Sequence, residues 1–125
     1  MKPAKKQVLI LDDEPEIRDL LSKMLSPEYN CVAVGSEAEL LTACDKGGFD
    51  LYLLDIILPE PNPHGVELAW KLRERGIKAP FVAVSAALEQ WDKEDLKDCG
   101  FDDFLPKPFD LDTVLTKVRK LTGVA

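Results

Sequence analysis

Short apolar runs alternate along the chain with longer segments of helical period. The first run, Val8-Leu9-Ile10-Leu11, is uninterrupted. Beyond a polar Asp12-Asp13-Glu14-Pro15 turn, Ile17, Leu20, Leu21, Met24 and Leu25 recur at i, i+3, i+4, i+7 and i+8, the spacing of one helix face. Pro15 suits a first helical turn, where Asp13, Glu14 and Glu16 lie near the positive end of the helix dipole. A second strand reads Cys31 to Val34. Ser36 with Glu39 three residues on is then a capping-box signature for a helix ending near Gly47-Gly48.

Leu51 to Leu54 form a continuously apolar strand that ends on Asp55, and a proline-rich loop leads to a helix from about Gly65 to Arg75, stopped by Gly76. Phe81 to Val84 make a fourth strand ending on Ser85. The next helix is expected to carry Leu88, Trp91, Leu96 and Cys99 on one stripe before Gly100. A fifth strand around Asp103 to Leu105 ends at Pro106-Lys107-Pro108, and Asp110 caps a last helix with Leu111, Val114, Leu115, Val118 and Leu121 at helical spacing. Trp70 reads as core or partly buried.

Five apolar runs alternating with five helical segments predict an α/β fold: a five-stranded parallel sheet, doubly wound with five helices. Right-handed crossovers and the strand order 2-1-3-4-5 follow from general rules, and in such a sheet function gathers at the carboxyl ends of the strands, near the switch point between strands one and three.

Composition narrows this further. At 125 residues the chain fits one compact domain, 1–125, with residues 1–6 expected to be flexible and no second domain attached. Its 46% apolar residues can fill a core without disulfide or metal staples. A formal net charge of −7 argues against direct nucleic-acid binding or attachment to anionic lipid. The basic start is too short for a signal peptide, and no apolar stretch approaches the about 18 residues of a membrane span. Cys31, Cys44 and Cys99 form no C-x-x-C pair and fit reduced thiols in a cytoplasmic protein.

The strand ends then carry the chemistry: Asp12 and Asp13 after the first strand, Asp55 after the third, Ser85 after the fourth and Lys107 after the fifth. One such carboxylate is an ordinary turn former or helix cap. Three brought together repel, and protonation or a bound cation relieves them. Oxygen-only donors without His or Cys favour a hard ion, Mg²⁺ before Mn²⁺ or Ca²⁺. Lys107 and Ser85 supply a charge and a donor suited to phosphoryl oxygens, which Mg²⁺ commonly accompanies.

With these residues in place, the chain resembles a receiver domain of the response regulators of two-component signalling, of the chemotaxis-regulator type. The motifs are Leu11-Asp12-Asp13-Glu14-Pro15, Leu54-Asp55-Ile56-Ile57-Leu58-Pro59, Val84-Ser85-Ala86 and Asp103-Phe104-Leu105-Pro106-Lys107-Pro108-Phe109. The resemblance covers nearly the whole chain and implies a flavodoxin-like sheet. It implies that Asp55 accepts phosphate from a histidine kinase or histidine phosphotransfer protein. Asp13 and Asp55 are then expected to bind Mg²⁺ directly, with Asp12 acting through water and the Ile57 backbone carbonyl as a further ligand.

Ser85 is expected to hydrogen-bond the phosphoryl group, with the small Ala86 leaving the site open and Phe104, at the switch-aromatic position, turning inward. Lys107-Pro108 is expected to be a cis peptide. A downstream protein target is implied, as is a family mode of dimerisation through helix four, strand five and helix five; Trp91 either lies on that face or simply packs in register with Leu88.

Departures are few. The loop Pro59-Glu60-Pro61-Asn62-Pro63-His64 is longer than the family's usual one, which reads as a surface insertion, and His64 reads as solvent-exposed. Phe104 lacks the hydroxyl of a tyrosine, so no partner contact can use one. Two other classes fit the residues less well. A small aspartyl-phosphate hydrolase wants D-x-D after the first strand, where this chain has Asp12-Asp13-Glu14. A constitutive interaction module would not need all five pocket residues. The expected activity is self-phosphorylation from a donor and self-dephosphorylation, not turnover of an independent substrate.

Overall fold

A computed structural model describes residues 5–56, 64–86 and 92–123. The strands are β1 (Gln7–Leu11), β2 (Asn30–Val34), β3 (Leu51–Asp55), β4 (Phe81–Ser85) and β5 (Asp103–Pro106). They alternate with α1 (Pro15–Leu25), α2 (Glu37–Asp45), α3 (His64–Glu74), α4 (Lys93–Asp98) and α5 (Leu111–Thr122). All strand pairs are parallel and the order is β2-β1-β3-β4-β5, as the alternation predicted.

The sheet is buried on both faces, which explains why its inner strands read as unbroken apolar runs rather than alternating ones. β3 and β4 are buried throughout. Leu9, Leu11, Tyr52 and Leu54 point into a core shared with Leu40 of α2, Leu68 and Leu72 of α3 and Leu96 of α4. Val8, Ile10, Leu51 and Leu53 point the other way, against Leu21 and Leu25 of α1 and Val114 and Val118 of α5. Edge strand β2 is largely exposed except at Val34.

Caps set the helix starts. Ser36 Oγ accepts from the Glu39 amide at 3.3 Å, while the Glu39 carboxylate returns to the Gly35 amide instead of that of Ser36, one residue beyond a standard box. Asp110 caps α5 through the Thr113 amide.

Several expectations need correction. Trp70 is 54% exposed, because Leu68, Ala69 and Leu72 carry the buried face of α3 and Trp70 projects away from it. Leu20 and Leu111 are also exposed, at the margins of stripes whose centres are buried. α4 starts at Lys93: Asp92 is extended and its side chain caps the Glu94 and Asp95 amides, so of the expected stripe through Leu88, Trp91, Leu96 and Cys99 the structure describes only the last two. Leu88 and Trp91 lie outside the described residues. At the chain start, Lys5 and Lys6 are tied rather than free, with Lys6 Nζ donating to the Thr122 carbonyl at 2.6 Å and Lys5 Nζ to that of Ser26 at 3.1 Å. Among the described residues, no helix is long and apolar enough to cross a membrane.

Candidate functional site

The strand order makes the site. The chain leaves β1 toward β2 on one side and β3 toward β4 on the other, which opens a crevice at the carboxyl ends of β1 and β3. Leu11 pairs with Leu54, so the next residues, Asp12 and Asp55, emerge side by side. Asp55 pairs with Val84, and Ser85 pairs with Pro106. The Lys107 amide donates to the Ser85 carbonyl at 2.8 Å, which draws Lys107 to the same end of the sheet.

The structure brings Asp12, Asp13 and Asp55 together, each offering a carboxylate oxygen within 4.8 Å of the others. Asp12 and Asp55 are buried and Asp13 is exposed. Lys107 Nζ lies 2.8 Å from Asp12 Oδ2, 3.5 Å from Asp55 Oδ2 and 3.3 Å from Glu14 Oε1. Burial alone would pull the Lys107 ammonium down, but Asp12, Asp55 and Glu14 together outweigh it and hold the group above its ordinary value. Lys107 therefore serves Asp12 and Asp55 of the cluster, with Glu14 as a third claimant.

Asp12 is held from several sides. Its amide donates to the Val34 carbonyl at 3.2 Å, its Oδ1 accepts from the Glu14 amide at 2.9 Å, and its carbonyl accepts from Arg18 Nη1 at 2.6 Å. Its Oδ2 is buried without a hydrogen-bond partner: the Lys107 contact is close enough for charge attraction but lacks hydrogen-bond alignment. A buried carboxylate oxygen with acceptor capacity left over, in a cluster made only of oxygens, fits a hard divalent cation such as Mg²⁺.

The remaining expected residues lie on β4, on β5 and in the turns that follow them. Ser85 is fully buried at the end of β4, and Ala86 is exposed in the turn that follows. Phe104 is half-buried on β5, packed against the core, with Lys93 Nζ 5.7 Å above its ring. The Lys107-Pro108 bond is cis. Ile57 and the side chain of His64 fall outside the described residues. Sequence reasoning missed two groups, Glu14 as a partner of Lys107 and Arg18 as a partner of the Asp12 carbonyl. The available signal for Arg18 was its place in the first turns of α1, from which a long side chain leans back toward the helix start.

Residues 8–119 match the family described as response regulator receiver domain. The chain belongs to this family. Transcriptional regulatory protein DltR of Streptococcus agalactiae is 30% identical over 121 residues, covering 93% of this chain and 51% of that protein. Response regulator ArlR of Staphylococcus aureus is 33% identical over 119 residues, covering 92% and 52%. The receiver chain thus spans about half the length of the curated relatives it matches. Among solved structures, chemotaxis protein CheY4 of Vibrio cholerae superposes with a TM-score of 0.83 at 25% identity, covering 94% of this chain and 99% of that one. The N-terminal domain of the nisin resistance regulator NsrR gives 0.84 at 27% identity, with 95% and 99% covered. Receiver domains are generally signalling switches rather than classical enzymes and typically bind Mg²⁺, in keeping with the acidic cluster seen in this one.

Proposed function

We propose that this chain is a phosphoacceptor switch in which Asp55 takes a phosphoryl group from the phosphohistidine of a histidine kinase or histidine phosphotransfer protein. The observation that carries this is Lys107 seated within 3.5 Å of the Asp55 carboxylate, inside a cluster of three carboxylates at the sheet's switch point.

In the reaction an Asp55 oxygen attacks phosphorus, the P–O bond forms as the P–N bond breaks, and the imidazole leaves with the electron pair and takes up a proton. A carboxylate is a weak nucleophile, so placement and charge carry the step. A divalent ion such as Mg²⁺ would be held by Asp13 and Asp55, with Asp12 acting through water, and would supply charge neutralisation at the transferring group; Ile57, whose carbonyl the resemblance adds to this set, lies outside the described residues. Lys107 pairs with a phosphoryl oxygen, leaving Glu14. Water attack on the acyl phosphate resets the switch.

The product adds roughly −1.5 to −2 charges to an acidic pocket. Ser85 then donates to a phosphoryl oxygen, Ala86 leaves room for the group, and Phe104 turns into the space vacated. A few kcal/mol of differential stabilisation suffices to invert such a population. The output is recognition by a downstream protein, with α4, β5 and α5 as the face for that protein or for a second copy. Relatives named as transcriptional regulators limit one expectation. The net charge of −7 disfavours nucleic-acid contact by this domain's own surface and says nothing of a longer protein that contains it.

Incubation with acetyl phosphate, read by intact mass, tests the proposal. One phosphoryl group gained with Mg²⁺, and none with a chelator or in Asp55→Asn, is expected. No gain with any divalent ion would favour a constitutive interaction module, and turnover of unrelated phosphate esters would favour a hydrolase. With Ser85→Ala, a phosphorylated chain that changes conformation as fully as the parent would remove the Ser85 coupling.

A further inference from the structure

Arg18 lies on α1, outside the expected set of site residues, yet its Nη1 donates to the Asp12 carbonyl at 2.6 Å. That carbonyl belongs to the peptide joining Asp12 to Asp13, whose six atoms move as one plane. Fixing its oxygen therefore fixes the Asp13 amide and Cα, and with them the origin of the one exposed carboxylate in the cluster. The Asp12 amide is held separately by the Val34 carbonyl, on the other side of Asp12 Cα, so that bond does not fix the plane that Arg18 holds.

Gly35 gives an independent sign of the same contact. A Cβ placed there would meet Arg18 Nη1 at 2.5 Å and Cζ at 3.1 Å. Gly35 is not among the glycines in the left-handed region, so its turn does not itself require glycine. The missing side chain makes room for the guanidinium, which is thereby seated between the end of β2, the start of α1 and the Asp12 carbonyl.

We infer that Arg18, lodged against Gly35, is a positioning residue that holds the Asp12–Asp13 peptide so that Asp13 can serve as a ligand to the divalent cation. This rests on the phosphoacceptor reading. Groups that orient metal ligands from behind commonly change metal affinity about 10–100-fold when removed. Two substitutions separate this role from general support. Arg18→Met keeps much of the apolar stem and removes the donor. Gly35→Ala leaves Arg18 intact and displaces only the tip of a flexible side chain, at little cost to the fold.

Mn²⁺ binding to the parent, Arg18→Met, Gly35→Ala and the double variant is measured by the loss of the free-ion electron paramagnetic resonance signal, alongside melting of each metal-free protein. The expected result is affinity about 10–100-fold weaker in each single variant, with metal-free Gly35→Ala melting close to the parent. The double variant should bind no more weakly than Arg18→Met, because the alanine has nothing left to displace. Parent-like affinity in either single variant overturns the inference, as does a Gly35→Ala effect that persists in full without Arg18. If Arg18→Met fails to fold, Gly35→Ala with parent-like affinity still overturns it. A parent chain that binds no divalent ion removes the phosphoacceptor reading and this inference with it.

Discussion

Lys107 is the residue on which the resting site balances. Its side chain is only 11% exposed and touches Asp12, Asp55 and Glu14, so removing it takes this cation from two buried carboxylates. Lys107→Met should cost about 3–5 kcal/mol in metal-free buffer, and Mg²⁺ should return part of that, as read by urea unfolding with and without the ion. Asp13→Asn acts oppositely. It removes one like charge from the cluster and should stabilise the metal-free chain by up to about 1 kcal/mol while weakening metal binding.

The pH dependence of Lys107 has a definite sign. Its folded value is raised above 10.5, so its contribution is complete below that value and disappears as pH rises through the folded value. Melting curves above pH 10.5 should therefore bring the parent toward Lys107→Met. A constant gap between them would show that the three contacts do not stabilise the charged form.

At the level of elements, the end of the molecule opposite the acidic cluster is tied by Arg73 of α3. Its guanidinium donates to the carbonyls of Ile77, Ala79 and Gly100 and to Asp102, and stacks 3.6 Å from the centre of the Phe81 ring. Gly100 sits at φ +112°, and a Cβ there would come within 2.8 Å of Arg73 Cγ. Gly100→Ala should cost about 1–3 kcal/mol, measured by thermal or urea unfolding. A neutral result would mean that this loop is free to move.

The elements also show where sequence pattern suffices. Buried parallel strands announce themselves as apolar runs, and Ser36, Asp110 and Pro15 mark helix starts by local chemistry. Trp70 was misread because its size argued for burial while its angle on α3 argued against it, and the angle decided. The start of α4 was not legible, because apolar spacing carries no information about the extended backbone at Asp92, whose side chain caps the helix. The carboxylates and Lys107 were legible because each follows a strand and the topology converges strand ends. Arg18 and Glu14 were not, because their roles depend on side-chain reach across elements.

Across the whole molecule, the sheet separates two cores and gathers the carboxylates at one end, so the net charge of −7 has a local meaning. A cation bound there stabilises the fold by mass action. At a hundredfold excess over its dissociation constant, Mg²⁺ should add about 2.7 kcal/mol to unfolding stability. Asp55→Asn should blunt that gain.

The central claim is that Asp55, and no other residue, carries the phosphoryl group. Treating the acetyl-phosphate product with borohydride reduces an acyl phosphate to an alcohol, and peptide mapping then reads the position directly. Homoserine at position 55 is expected in the Mg²⁺-treated parent only. Homoserine at Asp12 or Asp13, or an unreduced phosphoryl group on His64, would contradict the claim.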